Sequence, residues 1–259
     1  VVVIVGEKGA AQRRLHVRGD AGHGSIPLGR VSAVEMLAQV SRALSQAQWP
    51  QASDEIWAGF VRAFEFDSEL EESLISGTYR GDYSEFGDLA AYAHAVSHMT
   101  VAQTVVRAGG PINVLPSSGE LELDIRTLPG QSDDDVDRAI TEALGELTEH
   151  VTIERLLSER ATASSIDTKL YRAIEETLTQ ANPGAKVVPI LFPGGSDLRV
   201  GRHKGGVGYG FGSCSSGATL GQVYSQLHAH DEHIAVEDVV STVCALDHLT
   251  RVFIYPEKA

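Results

Sequence analysis

The sequence has few of the features that mark secreted, membrane-bound or nucleic-acid-binding proteins. Only two cysteines occur, Cys214 and Cys244, outside any C-x-x-C spacing. This usage fits a reduced cytoplasmic protein and leaves a single disulfide open as an alternative. No apolar run is long enough to span a bilayer, and no basic leader precedes the apolar residues 1–5. The 21 basic residues are outnumbered by 35 acidic ones, which argues against nucleic acid or an anionic membrane as a partner.

Several common motifs are also missing. G-x-S-x-G does not occur, which excludes a nucleophile elbow, and the lack of G-K-[ST] excludes a phosphate loop of that type. There is no internal repeat and no initiator methionine. Because the first residues are typical of a buried strand, we expect the chain to be a truncated or proteolysed part of a longer protein.

The remaining composition is that of an ordinary globular protein. With 259 residues, 42% of them hydrophobic and 22% charged, the chain can bury a core as one large domain or two small ones. Period-2 and period-3.6 patterns over residues 13–156 predict the order β-α-(insertion)-β-β-α-β, a split βαβ sheet with two helices on one face. The insertion covers about 46–98. The later residues predict α/β material with helices at 168–181 and 236–255 and strands at 186–189 and 206–212.

Three histidines and two acidic residues lie within the segment LHAHDEH at 227–233. His228 and His230 would share a face in an extended segment, and imidazole with carboxylate is a common zinc ligand set. A solvated loop that caps the last helix is an equal alternative.

Two further segments combine glycine with reactive side chains. His23 lies between glycines in AGHGSIP, where it could donate a hydrogen bond to an oxyanion; a turn histidine without function is the alternative. In PGGSDLR, Arg199 could bind a substrate carboxylate, or the segment could be a simple turn with Asp197 as a helix cap. Asn113 and Arg126, taken alone, are more typical of structural residues.

In this order, the segments GEKG…LHVRGDAGHGSIP, INVLPSSGELELDIRTLPG, FPGGSDLR and LHAHDEHI resemble the aminoacylase/carboxypeptidase family of co-catalytic zinc hydrolases. This family includes acetylornithine deacetylase, succinyl-diaminopimelate desuccinylase, glutamate carboxypeptidase and carnosinase-like dipeptidases. The resemblance implies a βαββαβ ferredoxin-like dimerisation lid at 10–157 that carries the insertion. Residues 1–9 would end a catalytic-domain strand, and 158–259 would form the C-terminal part of an α/β zinc-peptidase catalytic domain.

The resemblance also implies roles for individual residues. His23 would reach across a homodimer to polarise the scissile carbonyl, and His228 would be the last zinc ligand. Asn113, Arg126, Ser196 and Arg199 would bind the substrate, whereas His230 and His233 match no family role. The implied enzyme is cytoplasmic and cleaves an amide bond in a dipeptide, a peptide C-terminus or an N-acyl amino acid that carries a carboxylate. It would hold two zinc ions per subunit, with cobalt or manganese as possible replacements.

This sequence departs from the family pattern at the metal site. The family's front segment supplies a His-x-Asp pair, a bridging Asp, a Glu-Glu pair with the general base and a further acidic ligand, and none of these is matched here. Catalytic zinc needs about three protein ligands, so we expect this chain alone to be inactive and its full-length parent to be a hydrolase. The alternatives are a non-catalytic dimerisation or binding module and an independent zinc domain built on His228, His230 and His233.

Overall fold

The computed structural model describes residues 1–213 and 217–255. The strands are β1 Val2–Glu7, β2 Gly9–Ala10, β3 Arg13–Arg18, β4 Gly22–His23, β5 Thr100–Ala108, β6 Val114–Leu115, β7 Ser118–Thr127, β8 Val151–Arg155, β9 Thr162–Ala163, β10 Val188–Phe192 and β11 Gly210–Phe211. The α-helices are α1 Ala33–Gln46, α2 Glu55–Arg62, α3 Ser68–Ile75, α4 Ala90–Ser97, α5 Asp133–Leu144, α6 Lys169–Ala181, α7 Leu198–His203, α8 Leu220–Gln226 and α9 Val236–Ile254. Within the described ranges no helix is both long and apolar enough to cross a bilayer.

The chain divides into two compact units. The lid unit consists of Lys8–Gln51 and His98–Ala161, and the α/β unit consists of Val1–Glu7, Ala52–Ser97 and Thr162–Ala259. The sequence predicted the insertion, about 46–98, as part of the lid. Its residues 52–97 instead group with the α/β unit.

The insertion joins the α/β unit because its aromatic side chains pack there. Trp57 and Phe60 on α2 stack with ring centroids 5.8 Å apart, and Phe86 contacts both. The Tyr92 hydroxyl on α4 donates a 2.7 Å hydrogen bond to the carbonyl oxygen of Leu191 in β10. Burying these large apolar surfaces favours this position over an independent loop.

The lid unit has the predicted βαββαβ fold. Its antiparallel sheet runs in the order β5-β7-β3-β8, with β2 as an additional partner of β7. Along β7 the residues alternate between buried and half-buried, the period-2 pattern of a sheet with one covered face. Helices α1 and α5 pack their apolar faces on that side and close a single core. Fold class and topology are therefore confirmed for this half.

A fully buried arginine joins the lid sheet to α5. Arg13 on β3 is 0% exposed, and its guanidinium donates hydrogen bonds of 2.7 Å to Asp137 and 2.5 Å to Asp133. Paired in this way, the buried charge holds the helix against the sheet. Ser132 and Asp135 form a capping box that starts α5 at Asp133, as its acidic first turn predicts.

The α/β unit is built around β1. This strand pairs in parallel with β10 and antiparallel with β9 and β11. Val3 and Val5 are fully buried and pack against α6 and the last helix, α9. Both helices lie close to their predicted bounds because their apolar periodicity is strong.

The predicted strand at 206–212 is mostly wrong, since only Gly210–Phe211 are in strand conformation. The amide of Gly206 donates to the carbonyl oxygen of Gly201 at the end of α7. Arg202 donates to the carbonyl oxygen of Gly208 through Nη2 at 2.7 Å. These local bonds satisfy the backbone that a strand ladder would otherwise use.

Candidate substrate-binding site

His23 lies on a small two-stranded antiparallel sheet of the lid unit, formed by β4 and β6. It ends β4, opposite Val114 of β6, and its side chain is exposed. The backbone amide of Ser25 donates a 3.2 Å hydrogen bond to His23 Nδ1, and the Ser25 hydroxyl lies 2.7 Å from the same atom. Since a nitrogen that accepts from an amide carries no proton, the proton of the neutral ring lies on Nε2. The imidazole can therefore donate a hydrogen bond outward.

Asn113 directly precedes β6 and lies next to the His23 segment. Its carbonyl oxygen accepts a 2.7 Å hydrogen bond from the amide of Gly24, and its side chain is exposed. A Cβ at Gly24 would lie 3.3 Å from Asn113 backbone atoms, so glycine lets the two segments approach closely. The structure brings these two predicted residues together.

Arg126 lies near the far end of β7, on the open face of the lid sheet. Its cross-strand partners are Thr100 on β5 and Ala10 on β2. The guanidinium is 36% exposed and pairs with Asp124, two residues earlier on the same face, through Nε to Oδ1 at 3.0 Å. That contact lacks hydrogen-bond geometry, whereas Nη2 donates to Oδ2 at 3.1 Å. Arg126 is thus held at the rim of the sheet with part of its donor edge exposed.

Arg126 and the small β4-β6 sheet that carries His23 lie at opposite ends of β7. The strand begins at Ser118, just after β6 (Val114–Leu115), and reaches Arg126 eight residues later. At about 3.3 Å per residue the two ends are roughly 26 Å apart. Two extended residues span about 7 Å. One small substrate therefore cannot contact both side chains of a single lid.

Sequence reasoning missed a buried lysine beside Arg126. Lys8 is 3% exposed, and its Nζ donates to the carbonyl oxygen of His98 at 2.8 Å and to Thr100 Oγ1 at 3.2 Å. Burial, reinforced by the positive charge of Arg126, lowers the pKa of Lys8 to about 7. A charged residue directly after a buried strand was the available signal for this position.

Ser196 lies in the turn between β10 and α7 of the α/β unit. Its hydroxyl donates a 2.5 Å hydrogen bond to Oε2 of Glu7, the last residue of β1, and accepts from the amide of Leu198 at 3.3 Å. Because β1 and β10 are parallel, their carboxyl ends meet at one edge of the sheet, the usual location of ligand sites in such sheets. The hydroxyl of Ser196 is thus committed to an internal contact.

Arg199 is half-buried on α7, directly after this turn. A Cβ at Gly195 would lie 2.9 Å from Arg199 Nη1, so the guanidinium lies over the glycine. Glycine at this position therefore makes room for the arginine. The predicted cap by Asp197 is wrong, since the side chain of Asp197 makes no capping hydrogen bond and its backbone is helical.

Arg202 anchors the other end of α7, a residue that sequence reasoning missed. Its side chain is 3% exposed, and Nη1 lies 3.8 Å from Glu7 Oε2. The guanidinium also donates to Gly208 O, Ser164 Oγ and Thr162 Oγ1. Burial lowers the pKa of Arg202, and the neighbouring Glu7 carboxylate opposes that shift.

The histidine segment forms turns instead of the extended conformation that would align His228 and His230. His228 is exposed, with φ at 59°, and its amide donates to Glu232 Oε2 at 3.3 Å. The His233 ring binds the carbonyl oxygen of Asp231 at 2.7 Å. Asp231 also has a left-handed backbone conformation, with φ at 64°, which aspartate tolerates and which favours a turn.

The donor set of this segment does not fit a complete zinc site. Throughout residues 1–213 and 217–255, no group of three or more His, Cys, Asp or Glu is arranged to hold a metal ion. His228 with Glu232 supplies at most two donors, fewer than the three or four that protein zinc sites use. The hypothesis of an independent site on His228, His230 and His233 is wrong for this arrangement.

The sequence of this chain matches a known protein family. The family described as "Peptidase dimerisation domain" (M20_dimer) matches residues 5–152, more than half of the chain. This range contains β2 to β7, both helices of the lid unit and the start of β8, and it includes His23.

Two curated proteins are similar to parts of this chain. A "Probable carboxypeptidase S-like 2" of Dictyostelium discoideum is 26% identical over 205 residues, which cover 74% of this chain and 37% of that protein. A "Succinyl-diaminopimelate desuccinylase 2" of Shewanella loihica is 25% identical over 114 residues, which cover 40% of this chain and 30% of that protein. The chain thus spans about a third of the length of these relatives.

Solved structures share the fold over nearly the whole chain. An M20 family metallo-carboxypeptidase, Sso-CP2 of Sulfolobus solfataricus, superimposes with a TM-score of 0.62 at 18% identity, covering 95% of this chain and 59% of that one. The dipeptidase Dug1p of Saccharomyces cerevisiae gives a TM-score of 0.57 at 16% identity, covering 96% and 55%. The arrangement of strands and helices is therefore that of such enzymes.

Proposed function

Since this chain belongs to the M20 peptidase family through its dimerisation domain, we propose that it forms part of a homodimeric, metal-dependent hydrolase that cleaves an amide bond. Each active site would take Arg126 from one lid and His23 with Asn113 from the lid of the partner subunit. The observation that carries this proposal is the separation of roughly 26 Å along β7 between the two groups. A second protomer is the simplest way to bring both to one substrate.

His23 has the form that this role requires. Its Nδ1 accepts from the Ser25 amide, so Nε2–H is the donor that can polarise a carbonyl as negative charge develops on its oxygen. The ring is exposed on the small β4-β6 sheet, where a second protomer could bring a substrate to it. Asn113 would add a second polar group beside it.

The lid supports a homodimer through an exposed apolar groove between α1 and the edge strand β5. The groove has a volume of about 530 Å³, and its walls include Val34, Leu37 and Val106. Val34 is 50% exposed and Val106 is 65% exposed, and β5 pairs only with β7 among the described strands. A second copy would cover the apolar side chains and could pair with the open edge of β5.

Each unit contains an arginine that could bind the carboxylate of a substrate. Arg126 keeps part of its guanidinium exposed, and Arg199 lies over a glycine turn at the carboxyl end of β10. Planar guanidinium groups bind carboxylates through paired hydrogen bonds. The proposed substrates are dipeptides, peptide C-termini or N-acyl amino acids, and the names of the carboxypeptidase and desuccinylase relatives fit this class.

Metal binding in the proposed enzyme would require more donors than the described residues of this chain bring together. In the proposed parent enzyme, which would be cytoplasmic, two zinc ions per subunit, or cobalt or manganese in their place, supply the activated water. His228 would contribute one imidazole from its exposed turn. We therefore expect the 259-residue chain alone to be inactive.

A non-catalytic dimerisation or binding module from the same family is the second candidate. The lid groove favours it equally, because that apolar surface is complete whether or not a metal site forms. The two candidates differ in one measurement: hydrolysis of dipeptides or N-acyl amino acids by the full-length polypeptide that carries this sequence. Turnover that a chelator abolishes supports the enzyme, and its lack supports the module.

Mixing two inactive variants of the full-length enzyme tests the shared site. His23→Ala and Arg126→Ala subunits are expected to be nearly inactive alone. A heterodimer of the two would contain one site with both residues intact and one site with neither. The heterodimer should therefore have about half the activity of the wild-type dimer, and an equimolar mixture in which subunits pair at random should have about a quarter. If both residues act within one protomer, every site keeps one defect and mixing restores nothing, which would refute the proposal.

A further inference from the structure

Glu7 is a buried carboxylate to which the predicted site gave no role. It ends β1 and is 1% exposed. Oε2 accepts the hydrogen bond from Ser196, and Oε1 has no hydrogen-bond donor among the described residues. Burying a carboxylate with one oxygen unsatisfied is unfavourable, so its interactions with Ser196 and Arg202 must offset a substantial desolvation cost.

Through these two partners Glu7 contacts both ends of α7. Ser196 precedes the helix by two residues, and its hydroxyl accepts from the amide of Leu198, the first helical residue. Arg202 lies in the last turn and approaches the same carboxylate oxygen at 3.8 Å. One side chain on the central strand therefore fixes the start and the end of the helix.

The helix needs such support. It has six residues, its N-cap residue Asp197 makes no capping hydrogen bond, and helices this short are not stable by themselves. Arg199 lies in the middle, between the two tethered ends, with its guanidinium over Gly195. Movement of either end would change where that guanidinium points.

We infer that Glu7 is a positioning residue that orders the 193–203 segment and so aims Arg199. The use of Arg199 to bind a carboxylate rests on the proposed function, but the ordering of the segment does not. Because the Ser196 bond is made to an ionised group, it is stronger than a neutral hydrogen bond. Its loss should loosen α7 while leaving the sheet in place.

Hydrogen exchange and arginine side-chain NMR on the chain test this inference. In Ser196→Ala and Glu7→Gln we expect amide protection over 198–203 to fall on the order of tenfold, which corresponds to loss of one charge-assisted bond. The order parameter of the Arg199 Nε–H vector should fall as well. Ser196→Thr keeps the hydroxyl and should restore both values. Glu237→Gln, an exposed change of the same kind on α9, is the matched control and should change neither.

Two results would overturn the positioning role. One is protection over 198–203 in Ser196→Ala and Glu7→Gln that equals the Glu237→Gln control. The other is an equal loss over β1 and β10, because that would make Glu7 a general stabiliser of the sheet. A separate arm on the full-length enzyme measures KM for substrates with and without a carboxylate. A loosened helix with unchanged KM would leave the positioning role intact and remove Arg199 from the proposed function.

Discussion

The ammonium group of Lys8 lies beside the guanidinium of Arg126 at one end of the lid sheet. Thr100, which accepts a hydrogen bond from Lys8 Nζ, is the cross-strand partner of Arg126. The buried Lys8 thus lies beside the positive charge of Arg126, which pairs with the carboxylate of Asp124. Burial of Lys8, reinforced by this proximity, gives the lid a stability that depends on pH near neutrality.

Lys8 should destabilise the lid most at low pH. Its pKa is lowered from 10.5 to about 7, so the folded lid releases a proton that the unfolded chain keeps between these values. Where the unfolded state binds more protons, stability rises with pH. We expect the free energy of unfolding, relative to a Lys8→Met variant, to increase by about 2 kcal/mol from pH 7 to 9. Urea unfolding at several pH values measures it, and a constant difference would contradict the shift.

Asp137→Asn should destabilise the lid through Arg13. The arginine is 0% exposed and would keep its charge while losing a 2.7 Å partner. Breaking a buried ion pair costs about 3 kcal/mol. Asp134→Asn is the control, since Asp134 is 81% exposed and pairs with Arg155. Chemical denaturation should show a large loss of stability in Asp137→Asn only. Equal denaturation midpoints for the two variants would show that the lid does not depend on the Arg13–Asp137 pair.

Val106→Glu should dissociate the proposed homodimer. The change places a charge on the apolar groove beside α1, which a second copy would have to desolvate. Sedimentation equilibrium is expected to show at least a hundredfold weaker association, about 3 kcal/mol. Val240→Glu, at a 56% exposed position on α9, is the matched control. A variant that stays as dimeric as the control would exclude this groove as the interface.

His23→Ala in the proposed full-length enzyme should lower kcat by about 10² to 10³, the usual loss when one oxyanion donor is removed. Folding should be unaffected, because the ring is exposed and its hydrogen-bond partner among the described residues is Ser25. His150→Ala, also exposed in the lid unit, is the control and should keep full activity. Steady-state kinetics with a dipeptide series decides; a change in KM alone would assign His23 to binding instead of carbonyl polarisation.

The isolated chain should bind zinc weakly. Among the described residues no three His, Cys, Asp or Glu side chains are arranged to hold a metal ion, and a site with fewer than three donors leaves most of the coordination shell to water. Titration calorimetry should give a dissociation constant above about 10 μM, weaker than structural zinc sites. His230→Ala should not change it. Tight one-to-one binding that His230→Ala removes would revive the independent zinc domain.

Periodicity predicted the lid well because its elements are strongly amphipathic. The alternation along 118–127 and the acidic start of α5 are local signals, and both elements lie close to where the sequence indicated. The strand at 206–212 failed because a distant contact decided it. Arg202 donates a hydrogen bond to the carbonyl oxygen of Gly208, and the alternating glycines do not predict that bond.

The amino-acid sequence by itself determined the alternation of the lid, the acidic charge balance and the motifs that identify the family, since each depends on residues a few positions apart. Only the tertiary structure decided that the insertion packs on β10 and that Glu7 contacts both ends of α7. It also placed Arg126 and the His23 segment at opposite ends of β7. Such relationships follow from how strands pair and where buried side chains find partners, and those contacts join residues far apart in the chain.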